Sequence, residues 1–241
     1  MTGVAAQLVA RVEPRLRIHA TAVVAVAGPV AVGKSRLADD LAAALRATGA
    51  SAEVVSTDGF LLPFAELDAR GLIARKGFPE SYDVDALRDF LVAVRDTVHR
   101  SHDIAVPIYS HETYDILPDE RRPIPPLDVV VLEGLNALYA TTGLVDLGVY
   151  VDAPLPVIET WYVERFLHLV AVATPGSFYT RFAGMERDGL IDAALAVYRM
   201  INLPNLTEFI APSMELADVV IEKLPDHAVG EIRDRGGPTP R

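Results

Sequence analysis

Residues 22–27 read AVVAVA, residues 28–35 read GPVAVGKS, and a helix-period segment runs on from Lys34 to Ala47. No other stretch limits the fold as tightly. An unbroken apolar run suits a strand buried on both faces of a parallel sheet. A glycine turn that leaves such a strand and opens straight into a helix matches G-x-x-x-x-G-K-[ST] in its required setting. The glycines let backbone N–H groups converge on one anion, and the helix N-terminus adds partial positive charge. Such a turn holds phosphate. Gly28, Pro29, Val30, Ala31, Val32 and Gly33 form the expected cradle, with Arg36 counted beside it. Lys34 is placed to reach the terminal phosphates of ATP, and the Ser35 hydroxyl to take Mg²⁺.

The rest of the chain continues the alternation of strand and helix. Apolar runs predict strands at Ala22–Ala27, Ala52–Ser56, Asp103–Ile108, Asp128–Leu132, Leu147–Val151 and Asp218–Glu222. Helical periodicity predicts Lys34–Ala47, Val84–His99, Leu155–Val172 and Arg187–Met200. The expected fold class is α/β: a doubly wound, mostly parallel sheet with helices on both faces and a small helical lid. Arg121–Leu127 (RRPIPPL) reads as a proline-rich loop, and residues 231–241 as a fraying tail. With residues 1–20 as a short leading segment, the whole of 1–241 reads as one domain.

Composition excludes some roles. A formal net charge of −11 opposes non-specific binding to nucleic acid, so an anionic ligand needs a locally positive pocket. The chain has no cysteine, which removes disulfides and cysteine-bound zinc and makes the cytoplasm the default. No apolar run reaches the eighteen or so residues of a membrane span. Charged residues such as Arg11 and Glu13 in the leading segment argue against a secretory signal. Lysine is scarce: only Lys34, Lys76 and Lys223, against nineteen arginines.

In a doubly wound sheet, ligands sit outside the carboxyl ends of the strands. Asp58 ends the second predicted strand in STDGF, and Glu133 ends VVVL in LEGLN. Phosphoryl transfer to an alcohol wants one carboxylate to accept the hydroxyl proton and another to help hold Mg²⁺. Asp58 is the expected base, and Glu133 joins Ser35 at the metal.

GPVAVGKS, STDGF, RKGFPESYD (75–83), PIYSHETYDI (107–116), LEGLN (132–136), YVDAP (150–154), TWYVERF (160–166) and INLPN (201–205) together resemble the bacterial type I pantothenate kinases, in order from about residue 22 to residue 233. The resemblance implies transfer of the γ-phosphoryl group of ATP to the 4′-hydroxyl of pantothenate, the first committed step towards coenzyme A. It implies that Asp58, Tyr109, His111, Tyr114, Tyr162, Arg165 and Asn202 contact pantothenate, with Phe166, Phe178 and Tyr179 as an apolar wall. On the adenine side it implies Lys223 and His227. Arg165 suits either the substrate carboxylate or the charge of the transferring group, and stands with Lys34 and Asp58 as catalytic. The expected partner is a small molecule, with neither nucleic acid nor membrane, and a homodimer stays open.

The chain also departs from that pattern. The segment before the phosphate loop is shorter than in the family, and Asp39 stands where the resemblance implies an arginine that senses coenzyme A. Two rival readings remain: a kinase of the same scaffold acting on a nucleoside or sugar, and a non-catalytic nucleotide-binding regulator.

Overall fold

A computed structural model describes residues 2–17, 20–96 and 104–235. Its strands are β1 (Ala22–Ala27), β2 (Ala52–Ser56), β3 (Ile104–Ser110), β4 (Asp115–Ile124), β5 (Val129–Glu133), β6 (Leu147–Asp152), β7 (Val219–Lys223) and β8 (Val229–Asp234). The longer helices are α1 (Thr2–Val12), α2 (Lys34–Ala47), α3 (Phe64–Ala69), α4 (Val84–Arg95), α5 (Leu155–Ala171) and α6 (Arg187–Val197). Six strands form one sheet in the order β2-β5-β1-β6-β7-β8, parallel throughout except for β8, while β3 and β4 make a separate antiparallel hairpin.

The apolar runs carry two opposed faces rather than one. Val24 and Val26 of β1, with Val129 and Val131 of β5, pack under α2 through Leu37, Leu41 and Leu45. Val23, Ala25 and Ala27, with Val130 and Leu132, pack under α4 through Leu87, Leu91 and Val94. Each such side chain stabilises the fold by roughly 1.5–3 kcal/mol on burial, and the alternation anchors both helix layers. Because β1 and β5 are central, their carboxyl ends deliver the phosphate loop and Glu133 to the same edge of the sheet.

Four segments differ from the sequence expectation. The leading segment holds α1, whose Val4, Leu8 and Val12 recur at helical spacing and are buried in the α2 layer. Arg121–Ile124 is strand, not loop: these residues complete β4, paired against β3 as Arg121↔Pro107 and Ile124↔Ile104. A proline is tolerated there because a two-stranded ribbon consists of edges, where a missing N–H leaves no ladder bond broken. Residues 231–234 belong to β8, which pairs with β7 and is tied to α1 by an Arg11–Asp234 ion pair at 2.7 Å. Finally, α6 ends at Val197, and the helical path continues in widened turns through Tyr198–Asn202 and Leu206–Ile210. Pro204 lies between those turns; its ring would clash with the carbonyl four residues back, which a wider turn relieves. Residues 97–99 of the predicted helix Val84–His99, Asp103 of the predicted strand Asp103–Ile108 and residues 236–241 lie outside the described residues.

Candidate active site

The phosphate loop leaves β1 over the end of β6. A Cβ on Gly28 would collide with the Val151 carbonyl oxygen, so only glycine allows this crossing. Ala31 (φ 63°) and Gly33 (φ 91°) are left-handed, the conformation that turns successive N–H groups into an anion-binding concavity. Lys34 is buried, and its Nζ donates to the Pro29 carbonyl at 2.7 Å. Burial pushes this ammonium down to about 8; Glu133 pulls it up, Arg165 pushes it further down, and Asp58 pulls it up. The Ser35 hydroxyl donates to Glu133 Oε2 at 3.1 Å.

Asp58 lies in the tight turn Thr57–Phe60 that closes β2, where its N–H donates to the Ser56 hydroxyl at 3.3 Å. The Tyr82 hydroxyl lies 3.5 Å from Asp58 Oδ1. Burial holds the Asp58 carboxyl above the ordinary carboxylate range, and the nearby Glu133 adds to this, while His111, Lys34 and Arg165 oppose it. Groups from β2, β5, the loop, α5 and the β3–β4 turn therefore share one electrostatic neighbourhood. A half-buried carboxylate beside a second acid and two cations can accept a proton at a point where negative charge arrives.

Beside it stands a wall of rings from separate elements. Tyr109 meets His111 edge-on at 5.1 Å and Tyr114 at 6.2 Å, all three around the β3–β4 turn. Phe178 stacks on Tyr114 at 5.1 Å, which joins that turn to the segment following α5. On α5, Tyr162 lies 6.5 Å from Phe166, and Phe166 meets Tyr179 edge-on at 5.7 Å. Asn202, on the widened turn after α6, stands close enough to the Tyr162 hydroxyl to oppose the upward push of burial on it. The Tyr114 hydroxyl is pushed up to about 12 by burial, then by Tyr179 and Asp58. Burial likewise raises the Tyr109 and Tyr162 hydroxyls, so at neutral pH all three are neutral donors and acceptors.

Lys223, at the end of β7, reaches the loop itself: its Nζ donates to the Val32 carbonyl at 3.1 Å. The same Nζ lies 5.3 Å from the Trp161 ring, on which His227 stacks at 4.3 Å. Arg36 stands apart, exposed and paired with Asp40 at 3.3 Å. Asp39 is exposed as well, lining a surface cavity of about 620 Å³ with Arg46, Glu53 and Arg122.

Four residues without an expected role complete this surface. Lys76 lies over the rings of Tyr114 (4.2 Å) and Tyr109 (4.9 Å) and donates to the Tyr114 carbonyl. Its scarcity as a lysine was the one available signal. Trp161 contacts both Lys223 and His227, Phe182 packs on Phe166 at 4.9 Å, and Tyr198 packs on Tyr162 at 5.2 Å. Periodicity alone reads each of these as ordinary core.

The profile of the phosphoribulokinase/uridine kinase family matches residues 23–166. This chain belongs to that family. A pantothenate kinase from Sorangium cellulosum (strain So ce56) is 44% identical over 225 residues, 88% of this chain and 72% of the relative. One from Streptococcus suis (strain 98HAH33) is 40% identical over 222 residues, 87% of this chain and 71% of the relative. The D-glycerate 3-kinase of Cryptococcus neoformans var. grubii shares the fold, with a TM-score of 0.70 at 16% identity over 96% of this chain and 99% of its own. The protein is a P-loop kinase that uses ATP on a small-molecule acceptor. In this kinase Asp58 interacts electrostatically both with Lys34 of the glycine-rich loop and with His111, Tyr109 and Tyr114 of the ring-lined wall.

Proposed function

We propose that this kinase phosphorylates the 4′-hydroxyl of pantothenate, the opening step of coenzyme A synthesis, as one domain acting in the cytoplasm. The observation that carries the reading is that half-buried Asp58 lies within electrostatic reach of Lys34 on the one hand and of His111, Tyr109 and Tyr114 on the other. Pantothenate offers hydroxyls, an amide and a carboxylate on a short flexible chain. A wall of neutral tyrosine hydroxyls, with His111, Asn202, Lys76 and Arg165, supplies donors and acceptors for each. The relatives named pantothenate kinases point the same way. A homodimer is the assembly to look for by light scattering.

In the reaction, Asp58 accepts the 4′-hydroxyl proton as that oxygen attacks the γ-phosphorus. The bond from the γ-phosphorus to its bridging oxygen breaks, and ADP leaves. Lys34 and the loop amides hold the β and γ oxygens in line, and Arg165 offsets charge on the transferring group. Ser35 and Glu133 would hold Mg²⁺, which would offset the negative charge of the phosphates. Their oxygens already lie 3.1 Å apart, and among the described residues no group of three or more His, Cys, Asp or Glu side chains could hold a metal ion. Two hard oxygen ligands fit an ion that keeps waters and takes the rest of its shell from phosphate. No helix among the described residues is long and apolar enough to cross a membrane.

The test is a panel of acceptors scored by ADP release. Pantothenate should exceed uridine, ribose and fructose by orders of magnitude, because a hydrogen-bonding site rejects acceptors that leave its buried groups unpaired. Turnover of a nucleoside or sugar with pantothenate inert would replace the substrate while keeping the kinase. No turnover with any acceptor, despite ATP binding, would make the protein a regulator.

A further inference from the structure

Three of the sequence motifs meet at one buried atom that the transfer chemistry does not touch. The carbonyl oxygen of Gly77, in RKGFPESYD, accepts from Asn205 Nδ2 at 2.8 Å and from Asn136 Nδ2 at 3.0 Å. Asn136 ends LEGLN, three residues after Glu133, and Asn205 ends INLPN, three residues after Asn202. Both side chains are buried, at 2% and 3% exposure, and neither Oδ1 has a hydrogen-bond partner among the described residues. Each amide is thus buried for a single bond, and both bonds end on the same carbonyl. Burying an unpaired carbonyl oxygen is unfavourable, so packing alone gives no reason to place an asparagine at either position. The other side of the Gly77 peptide is held as well: its N–H donates to the buried Ser81 hydroxyl at 2.9 Å. With φ at +95°, Gly77 also takes a turn that other residues rarely adopt.

What this anchored peptide carries is its neighbour, Lys76. That side chain crosses to the β3–β4 hairpin, lies over Tyr109 and Tyr114, and donates to the Tyr114 carbonyl, where Tyr114 itself is left-handed at φ 60°. A lysine has four rotatable bonds and finds one pose only if its Cα is fixed. We propose that Asn136 and Asn205 are positioning residues for acceptor binding: they clamp the Gly77 carbonyl so that Lys76 holds Tyr109 and Tyr114 in their binding geometry. The clamp also joins the segment bearing Glu133 to the segment bearing Asn202, so the metal side and the acceptor side share one reference point. The inference rests on the acceptor reading above, and its test separates the two.

The chain has three lysines, so lysine labelled with ¹³C at Cε yields three assignable signals. In the native protein, ring currents from Tyr109 and Tyr114 should displace the Lys76 signal, which Lys76→Met assigns by its loss. Asn136→Leu with Asn205→Leu should return that signal towards the solvated position. The single Asn→Ser variants, which leave one clamp donor each, should move it part of the way and decide the matter if the double variant does not fold. In kinetics, each single variant should raise KM for pantothenate about threefold to tenfold, the range of one lost hydrogen bond, with KM for ATP within about twofold. In a Lys76→Met background the same changes should add nothing, because residues acting through one another are non-additive. An undisplaced Lys76 signal in folded variants, or full additivity with Lys76→Met, overturns the clamp. Inert pantothenate overturns the acceptor instead, and the lysine signal still reports on the clamp.

Discussion

The two sides proposed for this active site are built by different means. The phosphate side comes from one continuous motif and the ends of neighbouring central strands: Gly28–Ser35 leaves β1, and Glu133 ends β5 beside it. The acceptor side gathers side chains from the β3–β4 hairpin, α5, the segment after α5 and the widened turn after α6. Phosphate is the same in every ATP, so backbone N–H groups on a rigid sheet suffice to hold it. An acceptor is particular, and its recognition is spread over side chains whose spacing depends on how separate elements pack. Damage on the phosphate side should therefore fall on the chemical step, and damage on the acceptor side on substrate affinity.

Asp58, where the two sides meet, offers the sharpest break. Asp58→Ala should lower kcat by about 10²–10⁴-fold while ATP still raises the melting temperature. Near-native turnover would reduce Asp58 to a turn residue and leave the two sides without a common centre. Lys34→Met comes next, with kcat expected to fall about 10²–10³-fold and the ATP-induced rise in melting temperature to shrink. If ATP protection and turnover both survive, the buried ammonium is not part of the phosphate grip.

Titration should distinguish the same two groups. Asp58 must be ionised to accept a proton, and burial beside Glu133 raises its pKa, so activity should be lost as pH falls through a value above the ordinary 3.8. Lys34 must be charged, and it stands at about 8 in the ligand-free protein. The profile of kcat/KM for ATP, which reports the free enzyme, should fall as pH rises through about 8. Bound phosphates favour the charged form, so the same limb in kcat should lie at higher pH. Coincident limbs would show that Lys34 does not meet the phosphates.

Acceptor-side changes should be smaller and should appear in KM. Asn202→Ala removes a partner of the Tyr162 hydroxyl and should raise KM for pantothenate about threefold to tenfold with little change in KM for ATP. A matching rise in both KM values would blur the division between the sides. The smallest effect concerns Asp39, an exposed carboxylate on α2. Inhibition by coenzyme A should be weak in the native protein and should tighten by less than about tenfold in Asp39→Arg, because an exposed charge pair contributes little. Tight ATP-competitive inhibition of the native protein would remove Asp39 from that account.

The sequence by itself determined what local chemistry can specify. A glycine turn between a buried strand and a helix has one good use and fixes β1 and α2, while the apolar runs before Asp58 and Glu133 place those acids at the carboxyl ends of β2 and β5. Tertiary structure decided the rest. The first four residues of RRPIPPL avoid becoming loop only because β3 is available to pair with them, and the leading segment is a helix because the α2 layer offers an apolar face to cover. Nothing local to Lys76 indicates that it will lie over Tyr109 and Tyr114, since those rings are more than thirty residues away and arrive through the fold of the hairpin. Nor does the spacing within LEGLN or INLPN indicate that Asn136 and Asn205 will share one carbonyl with a third motif. Periodicity reports the face on which a residue sits. Which residue it meets there depends on packing between distant segments, and that sets the acceptor side of this kinase.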